Sequence, residues 1–143
     1  MQYGYLNYAS FGVRALATLI DSVLLALLMT PLLYWLYGNA YFTDESYFLG
    51  FWDFVIETII PFAIIVLFWA SRSATPGKAL CNLKIVDEKT LRPISFRSSV
   101  IRYLAYYAST LPLGLGFFWV LLNKRRQGWH DILAKTLVIR ASK

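Results

Sequence analysis

The chain has 143 residues, of which 58% are hydrophobic, 17% are aromatic and only 15% are charged. Soluble domains carry about 25% charged residues, so this composition excludes an ordinary soluble domain and indicates one membrane domain over residues 1–143. The net charge is +6, and the single cysteine, Cys81, excludes an internal disulfide.

Three apolar stretches could each cross a hydrocarbon core about 30 Å thick, which takes roughly 20 residues of helix. They cover residues 15–37, 54–70 and 103–122. The first has no short basic leader before it, which favours a retained helix over a cleaved signal peptide. Pro31 and Pro61 fall within or near the first two stretches. They are expected to bend these helices, because proline lacks the amide donor.

The distribution of charge orients the first two spans. The connection between Tyr37 and Phe54 contains acidic charges only, whereas the N-terminal flank and the region from Arg72 onward are basic. By the positive-inside rule the spans form a hairpin in the cell (inner) membrane, with the N-terminus and the loop at 71–102 in the cytoplasm. Topology and anionic headgroups therefore explain the positive charge better than a nucleic-acid partner does.

The polar region after the second span predicts a small cytoplasmic sheet. Residues 82–87 alternate around "LKIV" and are typical of a short strand, followed by a turn in "DEKTLRP" that leads into a second extended piece. The tail at 135–140, "KTLVIR", alternates in the same way and could pair with the first strand. Because two isolated strands are marginal alone, we expect this sheet to cap the helical hairpin.

The third apolar stretch contains the helix-breaking run "STLPLGLGFF", with Pro112, Gly114 and Gly116. If this stretch crossed the membrane once, the basic tail from Lys124 onward would lie outside the cell. This would contradict the positive-inside rule, which orients the first two spans. We favour a broken, re-entrant or in-plane hairpin, with a straight crossing as the alternative. The predicted fold is an all-α membrane protein with a two-helix transmembrane hairpin, a broken or re-entrant third segment and a small cytoplasmic β-sheet.

Asp21 lies about two turns into the first span. A carboxylate there costs on the order of 2.5 to 3.5 kcal/mol by insertion scales, so it is expected to face the protein interior or a wet cavity. Arg14 and Thr18 share nearly the same helix face, but Arg14 lies about 10 Å away along the axis, too far for a direct ion pair. The partner of Asp21 is then a passing ion or a distant arginine. The candidate arginines are Arg102, Arg125 and Arg126.

Other polar residues give weaker signals. Glu57 lies one turn into its span, where a long side chain reaches the interface. His130 and Asp131 open a short helical turn, with Asp131 as an N-terminal acid and His130 as a candidate pH sensor. "ATPGK" lacks the phosphate-loop pattern and predicts a tight turn with Lys78 near lipid phosphates. No nucleophile constellation, metal-ligand cluster or cofactor motif is present, so neither an enzyme nor a metal or cofactor site is expected.

The stretches "VRALATLID", "TPGKALCNLKIVD", "IRYLAYYASTLPLGLGF" and "RRQGWHDILAKTLVI" together resemble the RDD family of small membrane proteins. The resemblance implies one characteristic arginine and two aspartates, which are Arg14, Asp21 and Asp131 here. It also implies a multipass protein often suggested to be a transporter. Some members are linked to sodium/proton antiport and others to the assembly of membrane complexes. Where the family often has glycine in "DxxAGT", this chain has Lys135, which questions the geometry of that turn.

Two functions are therefore expected. In the first, Asp21 exchanges a cation and a proton; in the second, a non-enzymatic assembly or accessory factor uses its charged residues to organise the fold. Two or three spans offer too little wall to enclose a pathway. The expected partners are therefore the lipid bilayer and either further copies of the chain or other membrane proteins. The candidate ion- or proton-binding residues are Asp21, Arg14, Asp131 and Arg102, with Thr18, Glu57 and His130 as secondary candidates.

Overall fold

A computed structural model describes residues 6–43, 45 and 50–141. Part of the acidic connection between the first two spans, Asp44 and residues 46–49, lies outside the described residues. The described chain is mostly helical and includes a two-stranded sheet, as the sequence predicts. Its elements are α1 (Phe11–Tyr37), α2 (Ala40–Thr43), α3 (Phe51–Phe54), a π-helical turn (Val55–Ile59), α4 (Ile60–Arg72), α5 (Pro76–Leu80), β1 (Leu83–Asp87), α6 (Phe96–Thr110), α7 (Leu115–Leu122), α8 (Trp129–Ala134) and β2 (Thr136–Arg140).

Within the described residues, two continuous helices are long and apolar enough to cross a membrane, as expected from the first two apolar stretches. The first is α1, with 27 residues, and the second is the 22-residue run Phe51–Arg72, which joins α3, the π-helical turn and α4. Only 17% of the most apolar window of each is buried inside the protein. The remaining apolar side chains are suited to lipid, because a helix that is apolar all round is stable only when a membrane or other protein surrounds it.

The second span changes its helical geometry just before Pro61. Proline has no N–H, and its ring presses on the carbonyl one turn earlier, so a regular α-helix is strained at this point. The π-helical turn is wider and directly precedes the α4 segment that carries Pro61 near its start. Glu57 lies in this turn with its side chain exposed. The proline therefore alters one turn of the span without ending it.

The third apolar stretch is broken, as its proline and glycines predict. Helices α6 and α7 meet at 99° across the residues between them. Gly114, at the start of α7, has a φ of 76°, a left-handed conformation that glycine adopts without strain. Gly116 packs directly on α6, since a Cβ there would lie 2.5 Å from Ser109 Cα. The break thus brings α7 back against α6.

The sheet joins three parts of the chain that are distant in sequence. Strand β1 pairs antiparallel with β2, with Leu83 opposite Arg140 and Asp87 opposite Thr136, so the predicted pairing of the tail is confirmed. Ahead of α1, the Ala9 N–H donates to the carbonyl of Val138 at 3.0 Å. The start of α1, the segment after α5 and the tail after α8 therefore meet in one layer. Its core contains Ala9, Ala17, Trp69, Leu83, Ile85, Ile94 and Val138.

Candidate functional site

A buried ion cluster joins α1, α6 and α8. Arg14 Nη2 donates to Asp131 Oδ2 at 2.5 Å, and Arg102 Nη1 donates to the other carboxylate oxygen of Asp131. Asp131 and Arg102 are fully buried, and Arg14 is 8% exposed. The Gly128 N–H also donates to Asp131 Oδ2, at 2.8 Å. Asp131 therefore acts as the predicted acid at the start of α8 and also bridges two arginines from other helices.

The arginines keep Asp131 ionised. Burial by itself would raise the pKa of this carboxyl, but the positive charges of Arg102 and Arg14 lower it well below its usual range. A carboxylate held in this way stays charged near neutral pH. The arrangement suits a fixed link between three helices better than a group that takes up and releases protons.

His130 completes the cluster in its neutral form. Its Nε2 lies 3.2 Å from Arg14 Nη2. Because a guanidinium only donates, this ring nitrogen accepts, which leaves the proton on Nδ1 facing Ser109 Oγ at 3.4 Å. Burial lowers the pKa of His130 to about 3, against the opposing charge of Asp131 and with the help of the neighbouring guanidiniums. The ring stays neutral at physiological pH, which argues against the predicted pH sensor.

Asp21 has a separate set of partners at the start of α5. Its carboxylate accepts hydrogen bonds from the Thr75 hydroxyl and from the Gly77 N–H, the latter at 2.7 Å. The Lys78 ammonium lies 4.0 Å away. Helix starts leave backbone N–H groups without partners inside the helix, and a carboxylate satisfies them well. Asp21, which belongs to α1, therefore caps the start of a different helix, α5.

Of the two alternatives for the partner of Asp21, the structure does not support a distant arginine, because among the described residues its partners are Thr75, Gly77 and Lys78. Asp131 on α8 occupies the position beside Arg102, and the packing of α8 against α6 could not be read from helical periodicity. The three candidate arginines have other contacts: Arg102 with Asp131, Arg125 with Glu88 at 3.3 Å, and the Arg126 carbonyl with Arg14 Nη1 at 2.7 Å.

The sequence predicts Lys78 in a tight turn near lipid phosphates, whereas in the structure it is buried in a short helix. It is 5% exposed, and its ammonium lies 5.9 Å from the centroid of the Trp69 ring. The "ATPGK" segment forms the short helix α5, which packs against α1. Gly77 permits this packing, because a Cβ at that position would lie 2.2 Å from the carbonyl oxygen of Ala17.

Two cavities lie beside these charges. The Asp21 cavity, of about 440 Å³, lies between α1, α4, α5 and α6, and the Arg102 cavity, of about 470 Å³, lies between α1, α5, α6, α7 and α8. Both are lined mainly by apolar side chains. Asp21, Lys78 and Trp69 line the first, Arg14, Lys78, Arg102 and His130 line the second, and Thr18, Ser22 and Tyr106 line both.

The remaining predicted site residues lie in different places. Thr18 lies on the wall shared by the cavities, whereas Glu57 lines neither of them. In the part of the chain that the structure describes, no three His, Cys, Asp or Glu side chains cluster in a way that could hold a metal ion. Lys135, where the family often has glycine, adopts a left-handed φ of 55° at the end of α8.

Sequence reasoning missed the partners of Asp21. Thr75 and Gly77 lie 54 and 56 residues beyond it, so no helical spacing connects them. One signal was available, because a buried acid needs donors and "TPGK" offers a hydroxyl, free helix-start N–H groups and an ammonium in four residues. Trp69, whose ring lies close to the two buried cations Lys78 and Arg102, gave no such signal.

Comparison with known proteins identifies the chain's relatives. It is 28% identical to an uncharacterised protein of Rickettsia prowazekii (strain Madrid E), over 94% of this chain and 96% of that protein. Over 63 residues, 44% of this chain, it is 33% identical to a proline-rich antigen homolog of Mycobacterium tuberculosis, covering 26% of that protein. Across the same length it is 32% identical to a proline-rich antigen of Mycobacterium leprae, covering 25% of it. No solved structure matches the chain.

The profile of the RDD family matches residues 8–135, which include Arg14, Asp21 and Asp131. Of these three, the structure brings Arg14 and Asp131 into direct contact and gives Asp21 different partners. The match and the long apolar helices together indicate an integral membrane protein, and the chain belongs to the RDD family.

Proposed function

We propose that this protein is a subunit of a small membrane transporter in which Asp21 binds an inorganic cation and a proton in turn. The observation that supports this is the pairing of Asp21 with Lys78 at the wall of the Asp21 cavity. Their charged atoms are 4.0 Å apart, too far for a hydrogen bond, and the Asp21 side chain is 14% exposed. The lysine charge balances the acid without occupying its coordination sites.

The cavity offers oxygen ligands beside Asp21. Hard cations such as Na⁺ prefer oxygen donors over nitrogen and sulfur. Thr18 and Ser22 donate their hydroxyl hydrogens to carbonyls of α1, at 3.0 and 2.9 Å, so their oxygens remain able to face a cation. A bound cation would replace the Lys78 ammonium as the partner of the carboxylate, and a proton would replace the cation. One carboxylate used alternately by two cations gives obligatory exchange without a cofactor.

The proposal includes a membrane topology. The sheet faces the cytoplasm at the inner side of the cell membrane, and the third segment enters and leaves the bilayer on that same side. Three features support this: the basic flanks, the 99° angle between α6 and α7, and the pairing of β2 after α8 with β1 after α5. A straight crossing of α6 and α7 would separate the two strands by the thickness of the membrane.

The transporter would be an oligomer. The most apolar windows of α1 and of Phe51–Arg72 are each only 17% buried within one chain. One chain therefore provides too little wall to enclose a continuous pathway, and the lipid-facing sides of these helices remain available to further copies.

A second candidate function is a non-enzymatic assembly or accessory factor for other membrane proteins. It is favoured by the cluster of Arg14, Asp131 and Arg102, in which the carboxylate is fully bound by fixed donors. Such a cluster stabilises a fold and does not exchange cations or protons. In this function the helices bind other membrane proteins.

Proton flux in liposomes tests the first proposal. Purified protein is reconstituted with a pH-sensitive dye inside, and an imposed Na⁺ gradient is expected to drive proton movement. Asp21→Asn should abolish this flux, because the amide carries no charge. Its oxygen can still accept from the Gly77 N–H, and its NH2 group can donate to the Thr75 hydroxyl oxygen. Glu57→Gln is the matched control, an acid of the other span that does not line the cavity, and it should retain the flux.

The outcomes separate the two functions. Flux that is unchanged in Asp21→Asn would refute the role of this residue. A folded wild-type protein without cation-dependent flux would refute transport, and co-purification of a membrane partner would then support the assembly function.

A further inference from the structure

We propose that the Arg102 cavity binds the phosphate of an anionic membrane lipid. This proposal concerns a different cavity from the exchange at Asp21 and does not depend on transport. It rests on the charge of the cavity, on unpartnered donors of Arg102, and on the apolar remainder of its lining.

The cavity is positively charged. Among the described residues that line it, the charged side chains are Arg14, Lys78 and Arg102, and none is a carboxylate. Asp131 binds the two arginines and Asp21 lies near Lys78, so three buried cations meet two acids and one positive charge remains. His130 also lines the cavity but is neutral. A buried charge without a counter-charge is costly, and an anion in the cavity would balance it.

Arg102 has unused hydrogen-bond donors. Its Nη1 donates to Asp131 and, at 2.7 Å, to Thr136 Oγ1. The buried Nε and Nη2 have no partner within hydrogen-bonding geometry in the part of the chain that the structure describes. The Nε and Nη2 hydrogens form one edge of the planar guanidinium, an edge that matches two oxygens of a phosphate or carboxylate. The guanidinium carbon lies 5.3 Å from the Trp69 ring centroid, a cation–π contact that helps to hold the side chain in place.

The rest of the lining is apolar and continues to the lipid-facing surface. Phe11, Leu19 and Phe117 belong to the wall, and Leu19 is 61% exposed on α1. A free inorganic ion would leave this apolar volume empty. A phospholipid can place its phosphate at Arg102 and its acyl chain along α1 and α7, which satisfies both parts of the cavity. The residual positive charge favours an anionic headgroup over a zwitterionic one.

Binding to delipidated protein in neutral detergent tests this proposal. Native mass spectrometry and thermal unfolding are measured with short-chain phosphatidylglycerol, with phosphatidylcholine of the same chain length, and with inorganic phosphate. We expect one phosphatidylglycerol to bind per chain and to raise Tm, with phosphatidylcholine binding at least about fivefold more weakly, an amount typical of one lipid–protein charge interaction.

Two variants locate the site. Lys78→Gln removes one cation and should weaken phosphatidylglycerol binding about fivefold. Ala15→Phe fills the cavity from an exposed position on its wall without changing any charge, and it should abolish the Tm increase. Lys124→Gln is the control, since it removes an exposed positive charge that does not line this cavity.

Every outcome of these binding measurements supports or overturns the proposed lipid site. Equal binding of the two lipids would overturn the proposal, as would equal losses in Lys78→Gln and Lys124→Gln, or a Tm increase that persists in Ala15→Phe. An equal Tm increase with inorganic phosphate would support the phosphate site but overturn the lipid as its source.

Discussion

Asp131 accepts three hydrogen bonds, two from arginines of other helices and one from the backbone at the start of its own helix. This concentration of donors makes a full negative charge stable in a buried position. The same carboxylate compensates much of the charge of Arg14 and Arg102. At the scale of single residues, it is the side chain whose removal should matter most.

Asp131→Asn should reduce the free energy of unfolding by about 3–5 kcal/mol, because two guanidiniums would remain buried without their counter-charge. The measurement is chemical unfolding in detergent, with Glu57→Gln, a substitution of an exposed acid, as control.

The stabilisation by Asp131 is present above the pKa of about 3.9 that an aspartate has in the unfolded chain. It is lost as pH falls through the lower pKa of the folded state. The deficit of the variant should therefore be constant from about pH 5 to 8. A deficit below about 1 kcal/mol would contradict the role of this carboxylate.

At the scale of elements, the contact between α5 and α1 builds both cavities. Helix α5 has only five residues and would not be stable alone. It is held by the capping interaction with Asp21 and by the close approach of Gly77 to the backbone of α1. This packing buries Lys78 and turns it toward Asp21.

Gly77→Ala should therefore displace α5. The added methyl would overlap the Ala17 carbonyl, and overpacking of this kind costs about 1–3 kcal/mol. Gly12→Ala is the matched control, since a Cβ there meets nothing within 4 Å and alanine favours a helix by roughly 0.5–1 kcal/mol. Thermal unfolding should separate the two variants in opposite directions. Equal Tm values would show that the close approach of α5 to α1 does not contribute to stability.

At the scale of the whole molecule, the path of the third segment decides the topology. In a Cys81→Ser background, single cysteines replace Lys84 on β1, Lys124 after α7 and Asn39 beyond α1. If the segment re-enters, a membrane-impermeant thiol reagent should label the first two from one side of the membrane and Asn39→Cys from the other. Labelling of Lys124→Cys from the same side as Asn39→Cys would mean that α6 and α7 cross the membrane.

The sequence by itself determined the elements that depend on local chemistry. Apolar length predicted the two long helices, Pro112 and Gly114 predicted the break between α6 and α7, and alternation in "LKIV" and "TLVIR" predicted two strands that pair. Each of these signals lies within about twenty consecutive residues. Helical periodicity also separated Arg14 from Asp21 correctly, because the rise per residue is a local property.

Only the tertiary structure decided which charges meet. Asp21 contacts the start of α5, and Arg102, one of its candidate partners, pairs with Asp131 instead. Periodicity tells which face of a helix carries a charge, but the neighbour of that face depends on how segments distant in sequence pack. In a low-dielectric interior each buried charge must find a partner within a few ångströms, so the packing of α5 and α8 assigned the partners.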